Sequence, residues 1–432
     1  MKGETIMLVF WQECKHILRS RFLWVVMALG IIVYVFFSIS NFGDCKDMLT
    51  TSFLYTQENG KTFSTREDAD VYIKLYLQNT ESGQLLAEAL KKAGLEDIVD
   101  MPAEKIMDYR NIPEIREKLD KLAESDPSAL SMIYMYLNNI QAPLDKIQPV
   151  VEFEEEEEKS YWEAIMIPKT MPEWKKELLM EQGYENLQEQ TLLRKKNKEF
   201  LPLTQLTGSW EWFDHQFGMM GFGLLWGTSL ILAGIIAARS LGGSFQNQMT
   251  GMLYTQKKGR GTALYKVLSV MAVSGAVYLA LSIVFALVCI WVFRLDLYWD
   301  VSLAAISTTR FPITIGGYWL FQLGVGLAAV LIMAVIFSTA MMVTRSFFAG
   351  SAISVGISLL LLGLIANVPA AQNSILLMGS PIGLYLNVGK FLQERFLFSI
   401  LPHFEGVMLL IWCGISAVLA AVGFMRFRKS AL

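Results

Sequence analysis

Val267–Phe293 reads VLSVMAVSGAVYLALSIVFALVCIWVF, with Lys266 before it, Arg294 after it and no charged side chain between. A helix needs about 20 mainly apolar residues to cross the hydrocarbon of a bilayer, and this run exceeds that. The same pattern recurs on both sides of it. Phe22–Ser40 and Phe217–Ala238 carry no charge. Phe311–Thr344 has Gln322 as its most polar side chain, and after Arg345 no charge comes until Lys390. A last run covers Gly406–Met425. Between the first and second runs the composition reverses, and charges crowd into residues 44–215. Over all 432 residues the chain is 53% hydrophobic and only 18% charged, against roughly 45–50% and 25% in soluble domains. The reading is an all-α, polytopic membrane protein with one large polar insertion.

The stretch 346–389 is too long for one span. Phe347–Val368 suffices for a helix, but Pro369–Gly389 is broken by Asn373, Gly379, Ser380, Pro381, Gly383 and Asn387. Such breaks free backbone groups that lipid cannot satisfy. Residues 369–400 are therefore read as re-entrant or interfacial, packed against protein, rather than as a seventh helix. Six transmembrane helices result: 22–40, 217–238, 266–293, 315–344, 347–368 and 405–425.

Lys and Arg gather on the cytoplasmic side of spans. With the N-terminus inside, the inner side receives Lys2, Lys15, Arg19 and Arg21; Arg239, Lys257, Lys258, Arg260 and Lys266; Arg345; and Arg426, Arg428 and Lys429. The short outer loops receive only Arg294, Arg310, Lys390 and Arg395. Both termini are thus expected in the cytoplasm, and residues 41–215 form a long outer segment whose charges do not vote. A seventh helix would put the basic C-terminal tail outside. A signal peptide at Phe22–Ser40, with small residues at Ser38 and Ser40, is the rival at the start. The run exceeds a usual signal core, and the segment before it is long.

That preceding segment, residues 1–21, has Met7, Trp11, Cys14 and Leu18 at helical spacing, with Gln12, Glu13, Lys15, His16 and Arg19 on the other face. The pattern suits an amphipathic helix in the inner membrane surface, joined to the first span by an elbow.

The outer segment reads as mainly helical. Ser64-Thr65-Arg66-Glu67 is a capping box, followed by an apolar stripe at Val71, Leu75, Leu85, Leu86 and Leu90, with Gly94 ending the region. Further helices are expected over Pro113–Glu124, Ser128–Ile140 and Pro172–Glu199. The acidic run Glu154–Glu158 and the basic Arg194-Lys195-Lys196 read as solvated faces. Asp214-His215 reads as an interfacial helix start.

Several kinds of chemistry find no support. Cys14, Cys45, Cys289 and Cys413 lie far apart, and only Cys45 falls in the outer segment, so no disulfide framework is available to it. His16, His215 and His403 make no zinc spacing with them. No nucleophile, base and orienting group stand together, no cofactor is called for, and no basic stripe suits nucleic acid. A phosphate loop is absent: Leu384 stands where Gly389-Lys390 would need its first glycine, and Phe391 replaces the hydroxyl. ATP hydrolysis is therefore expected on a separate chain, and this chain is not read as an enzyme. The spans hold almost no ionisable groups, which argues against an ion-coupled transporter. Small residues are plentiful there, and Gly223 with Gly227, Gly324 with Gly326, and Ala417 with Ala421 are expected to let helices pack closely.

The most structured inner loop runs Arg239-Ser-Leu-Gly-Gly-Ser-Phe-Gln-Asn-Gln-Met-Thr-Gly251-Met-Leu-Tyr-Thr-Gln-Lys-Lys-Gly259-Arg260, with Lys266 opening the next helix. It resembles the loop of the ABC-2 type permeases, the membrane subunits of ATP-driven exporters. That family carries a polar or acidic residue, a glycine about five on, an apolar pair, then a turn with a basic residue and a lysine at the next helix. Gln246, Gly251, Met252-Leu253, Gly259-Arg260 and Lys266 look like those positions. The chain departs from the family at Gln246-Asn247-Gln248, where relatives usually place a glutamate. The elbow, the six spans and the broken segment before the last helix also resemble the family. The outer domain does not follow from that motif and is similar to a subset of it.

The resemblance implies a bacterial cell membrane, an ABC ATP-binding subunit docked below, and a second permease subunit, identical or different. Gly251–Arg260 would be the coupling loop, presenting Met252-Leu253 as an apolar knob rimmed by Lys257, Lys258 and Arg260. The alternative is a membrane-anchored sensor or mechanotransmitting protein whose outer domain binds a ligand or partner.

Overall fold

The computed structural model describes residues 2–59, 66–96, 112–131, 133–134, 223–243, 262–300, 313–367, 379–386 and 404–429, and they are almost wholly helical. In chain order the helices are α1 (Lys2–Leu18), α2 (Arg21–Asn59), α3 (Arg66–Asn79), α4 (Glu81–Lys92) and α5 (Pro113–Ser125). Then come α6 (Leu224–Ala237), continued by a π-helical turn at Ala238–Gly242, and α7 (Thr262–Trp291). They are followed by α8 (Leu295–Tyr298), α9 (Ile315–Thr344), α10 (Phe347–Asn367), α11 (Pro381–Leu386) and α12 (Phe404–Lys429).

Five stretches among the described residues are long and apolar enough to cross a membrane: Arg21–Ser40, Leu224–Gly242, Thr262–Trp291, Ile315–Thr344 and Gly406–Phe427. A further apolar helix is α10, described with its side chains over Phe347–Leu360. The first and last spans bury under a fifth of their residues, whereas those of α6, α7 and α9 bury half or more. So α6, α7 and α9 form the centre, and α2 and α12 flank it. Helix α9 packs on α6, α7, α10, α11 and α12. It is framed by a Thr314 cap, whose hydroxyl accepts the Gly317 N–H at 3.1 Å, and by Arg345 in the left-handed region at φ 52°.

Helices approach closely where glycine lacks a side chain. A Cβ on Gly30 of α2 would fall inside the contact radius of Thr228 on α6. Gly275 of α7 faces Leu331 of α9, and Gly423 of α12 faces Thr339 and Met342 of α9. Of the residues in the expected pairs, Gly326 is buried in α9. Gly227 and Gly324 have no atom within 4 Å of an added Cβ, and Ala417 and Ala421 are exposed. Small residues fall on both faces of these helices, and composition does not say which face meets protein.

Helix α2 does not stop with its uncharged run at Ser40. Its 39 residues at 1.5 Å rise span about 58 Å, roughly twice the hydrocarbon thickness. The part beyond Ser40 carries a small domain with its own core of Tyr55, Tyr72, Leu86, Leu90, Ile115, Leu119 and Ile133. Asp47 accepts the Ser82 N–H at 3.3 Å, and Tyr55 donates to Asp68 at 3.0 Å. Burial pushes the Tyr55 and Tyr72 hydroxyls well above their ordinary range, so both stay protonated donors.

The region expected as one helix ending at Gly94 is two. Thr80 is an N-cap whose hydroxyl accepts the Gly83 N–H at 3.0 Å, and it starts α4. The chain then leaves α4 at Gly94, whose φ of +62° suits glycine. Of the expected stripe, Leu86 and Leu90 are buried, Leu75 is partly buried, and Val71 and Leu85 are exposed. The segments expected to be helical at Pro172–Glu199, and the Glu154–Glu158, Arg194-Lys195-Lys196 and Asp214-His215 features, lie outside the described residues, as does most of 369–400. Within the last, Ser380–Leu384 is buried and α11 packs on α9, α10 and α12.

Candidate functional site

Of the residues expected to form the coupling loop, Gln246, Gly251, Met252, Leu253, Gly259 and Arg260 lie outside the described residues. Lys266 and the two helix ends that bound the loop are described, and they converge.

Lys266 sits one turn into α7 and is 8% exposed. A lysine so enclosed needs partners for its ammonium. Two are present on different helices. Its Nζ donates to the Ser240 carbonyl at 3.0 Å, and it is 3.4 Å from Glu13 Oε1 on α1. The Ser240 carbonyl lies in the π-helical turn that ends α6, where carbonyls lack the next helical turn's donors. Such turns interrupt the regular i→i+4 ladder and free acceptors for side chains. Three elements therefore meet at one cation: the end of α6, the start of α7 and the N-terminal helix.

Apolar contacts surround this junction. Cys14 and Ile17 of α1 are buried, and Ser269 of α7 donates to the Phe10 carbonyl at 3.4 Å and to Tyr265 O at 2.8 Å. Burial pushes the Cys14 thiol up, with the Ser269 hydrogen bond opposing, so it stays a thiol at neutral pH. On the other side Ala238, Leu241, Ala263, Val267, Met341 and Phe427 form a separate cluster joining α6, α7, α9 and α12. Gly242 lets Phe347, the first residue of α10, press onto the π turn.

The face of α1 that does this lies beside the apolar face expected at the membrane surface. Phe10, Glu13, Cys14 and Ile17 turn inward, while Trp11 and Leu18 are 54% and 39% exposed. Glu13, assigned to the polar face, is an inward partner. The signal lay in the spacing Phe10, Glu13, Cys14, Ile17, an i, i+3, i+4, i+7 stripe interrupted by one acid. The lysine opening α7 is its natural complement.

At the opposite end of the bundle the interior is aromatic and closed. Phe285 stacks on Trp319, with centroids 6.1 Å apart and planes at 9°, and Tyr34 and Trp299 extend the cluster. Gln322 is 1% exposed within α9, and the nearby Tyr278 hydroxyl donates to the Leu323 carbonyl at 3.1 Å. A crevice between α2, α6 and α7, lined by Gly30, Tyr34, Thr228 and Phe285, holds about 20 Å³. That is room for about one water and none for a cargo. Among the described residues no three His, Cys, Asp or Glu side chains gather to hold a metal.

Over the described residues these are the features of a helical membrane protein with a small polar helical domain carried on its first long apolar helix. No family model, curated protein or solved structure matches the chain.

Proposed function

We propose that this chain is the permease subunit of an ATP-driven exporter of the ABC-2 type, resident in a bacterial cytoplasmic membrane with both termini in the cytosol. It crosses six times, through the first part of α2 and through α6, α7, α9, α10 and α12. The α3–α5 domain lies outside, and the segment around α11 is the broken element before the last span. ATP is hydrolysed on a separate ABC ATP-binding subunit, and a second permease subunit, identical or different, completes the pathway.

The observation that carries this reading is the Lys266 junction. A permease without its own ATPase needs an inner element that can be pushed as a unit. Lys266 ties both roots of the loop 244–261 to each other and to α1. A push on Met252-Leu253 then reaches α6, α7 and α1 together, and the spans shift between packings as rigid bodies. Purification of the chain from its native membrane is expected to bring an ABC ATPase with it. Met252→Asp with Leu253→Asp is expected to abolish cargo-stimulated ATP hydrolysis. Recovery of no ATPase, or coupling that survives both substitutions, overturns the mechanism.

A second reading is favoured by one feature. Helix α2 runs unbroken from the membrane into the α3–α5 domain, which suits a sensor or mechanotransmitting protein that relays an outer binding event. The readings part on flux: a relay binds its ligand and changes ATPase activity without moving cargo in proteoliposomes.

A further inference from the structure

Helix α1 is divided lengthwise into sectors, and their order is informative. Hydrogen bonding from the Arg19 N–H to the Lys15 carbonyl carries the helical turn to Arg19, so positions to that point advance by 100° each. One sector, Phe10, Glu13, Cys14 and Ile17, faces the bundle. Beside it on one flank are Trp11 and Leu18, large, apolar and exposed. Next around the helix come Lys15 and Arg19, both exposed, and beyond them Gln12 and His16, also exposed. Protein, apolar, cationic and polar surfaces thus follow one another around a single helix.

The elbow continues the series. Arg21 is exposed at the start of α2, and Phe22 and Trp24 are 63% and 50% exposed. The Trp24 indole N–H donates to the Leu18 carbonyl at 2.7 Å, which fixes α2 against the end of α1. The nearby acid Glu13 is turned inward onto Lys266. Among the described residues, no carboxylate pairs with Lys15, Arg19 or Arg21.

A helix lying in a lipid–water interface has its aromatic and aliphatic side chains at the acyl boundary and its polar side in water. The level between those two is that of the headgroup phosphates, and Lys15 and Arg19 occupy it. We propose that Lys15, Arg19 and Arg21 form a binding surface for anionic phospholipid headgroups of the leaflet on which α1 lies. Each such cation favours an anionic over a zwitterionic surface by about fivefold. Lipid charge thereby holds α1, and with it Glu13 and Lys266, in register.

The test uses the purified full-length chain in mild detergent, titrated with fluorescent phosphatidylglycerol or phosphatidylcholine and followed by anisotropy. At low salt the wild type is expected to bind phosphatidylglycerol at least about tenfold more tightly. Lys15→Gln/Arg19→Gln/Arg21→Gln should remove most of that preference while the chain elutes as the wild type does. Equal binding of both lipids by the wild type, or an undiminished preference in the triple variant, overturns the proposal. If the variant does not fold, salt applied to the wild type decides: the preference must fall steeply between low and high salt, and a salt-independent preference overturns it. Millimolar inorganic phosphate is expected to leave the lipid bound; displacement by it would assign the surface to a soluble anion and also overturn the proposal. No ATPase or cargo enters the assay, so its outcome and that of the permease reading are independent.

Discussion

Lys266 and Glu13 are each 11% and 21% exposed at their side chains, so their pair lies between the exposed case, worth little, and the buried case, where losing one partner costs about 3–5 kcal/mol. Lys266→Met leaves the largely enclosed Glu13 carboxylate without this counter-charge and takes one donor from the Ser240 carbonyl. We expect it to cost about 1–3 kcal/mol, and Glu13→Gln about 1 kcal/mol. The double variant should lose clearly less than the two single losses combined, read as thermal-unfolding midpoints of the full chain. Simple additivity would mean that the two groups do not act as a pair. Neither position is decided by its own residue type. A glutamate in an amphipathic helix belongs by default to the wet side, and Glu13 is turned inward only because Lys266 stands opposite it. That partner is more than 250 positions away in sequence, which is why the pattern of α1 alone puts Glu13 on the wet side.

At the scale of elements, the legible parts were those whose ends carry local chemistry. Helix α9 begins after a threonine cap and ends at Arg345, and both marks stand in the sequence beside an uncharged run. Gly94 ended its helical region for the same kind of reason. The break at Thr80 was hidden because the apolar stripe keeps its period across it. The length of α2 was hidden because hydropathy reports where lipid ends, not where helix ends. Its continuation depends on α3 and α4 packing against it, through Asp47, Ser52 and Tyr55. Thr50→Pro should therefore do more than remove one hydrogen bond, at a cost of about 3 kcal/mol. Amide-exchange protection should fall over 46–59 and in α3, while α6, α7 and α9 keep theirs. Unchanged protection in α3 would show that the domain does not depend on the helix beneath it.

For the whole molecule, the centre is α6, α7 and α9, and exposed apolar side chains line α2, α12, α10 and the outer side of α7. That surface is what lipid is expected to cover. From the distribution of Lys and Arg the elbow end is expected in the cytosol, and the expectation can be checked on intact cells. In a cysteine-free background, Lys121→Cys, on the exposed side of α5, is expected to react with a membrane-impermeant maleimide added outside. Arg426→Cys, near the end of α12, should react only after permeabilisation. The reverse result would invert the molecule. The six-span count rests on α10 and on segments beyond the described residues.

The unbroken α2 has one more consequence. It is tied to the small domain at one end and to α1 by the Trp24–Leu18 contact at the other, so a rigid tilt would act over about 58 Å. A rocking of only about 5° about its midpoint displaces both extremities by about 2.5 Å in opposite senses. Were such a tilt to follow binding at the small domain, the bend beside Arg21 would move in the opposite sense.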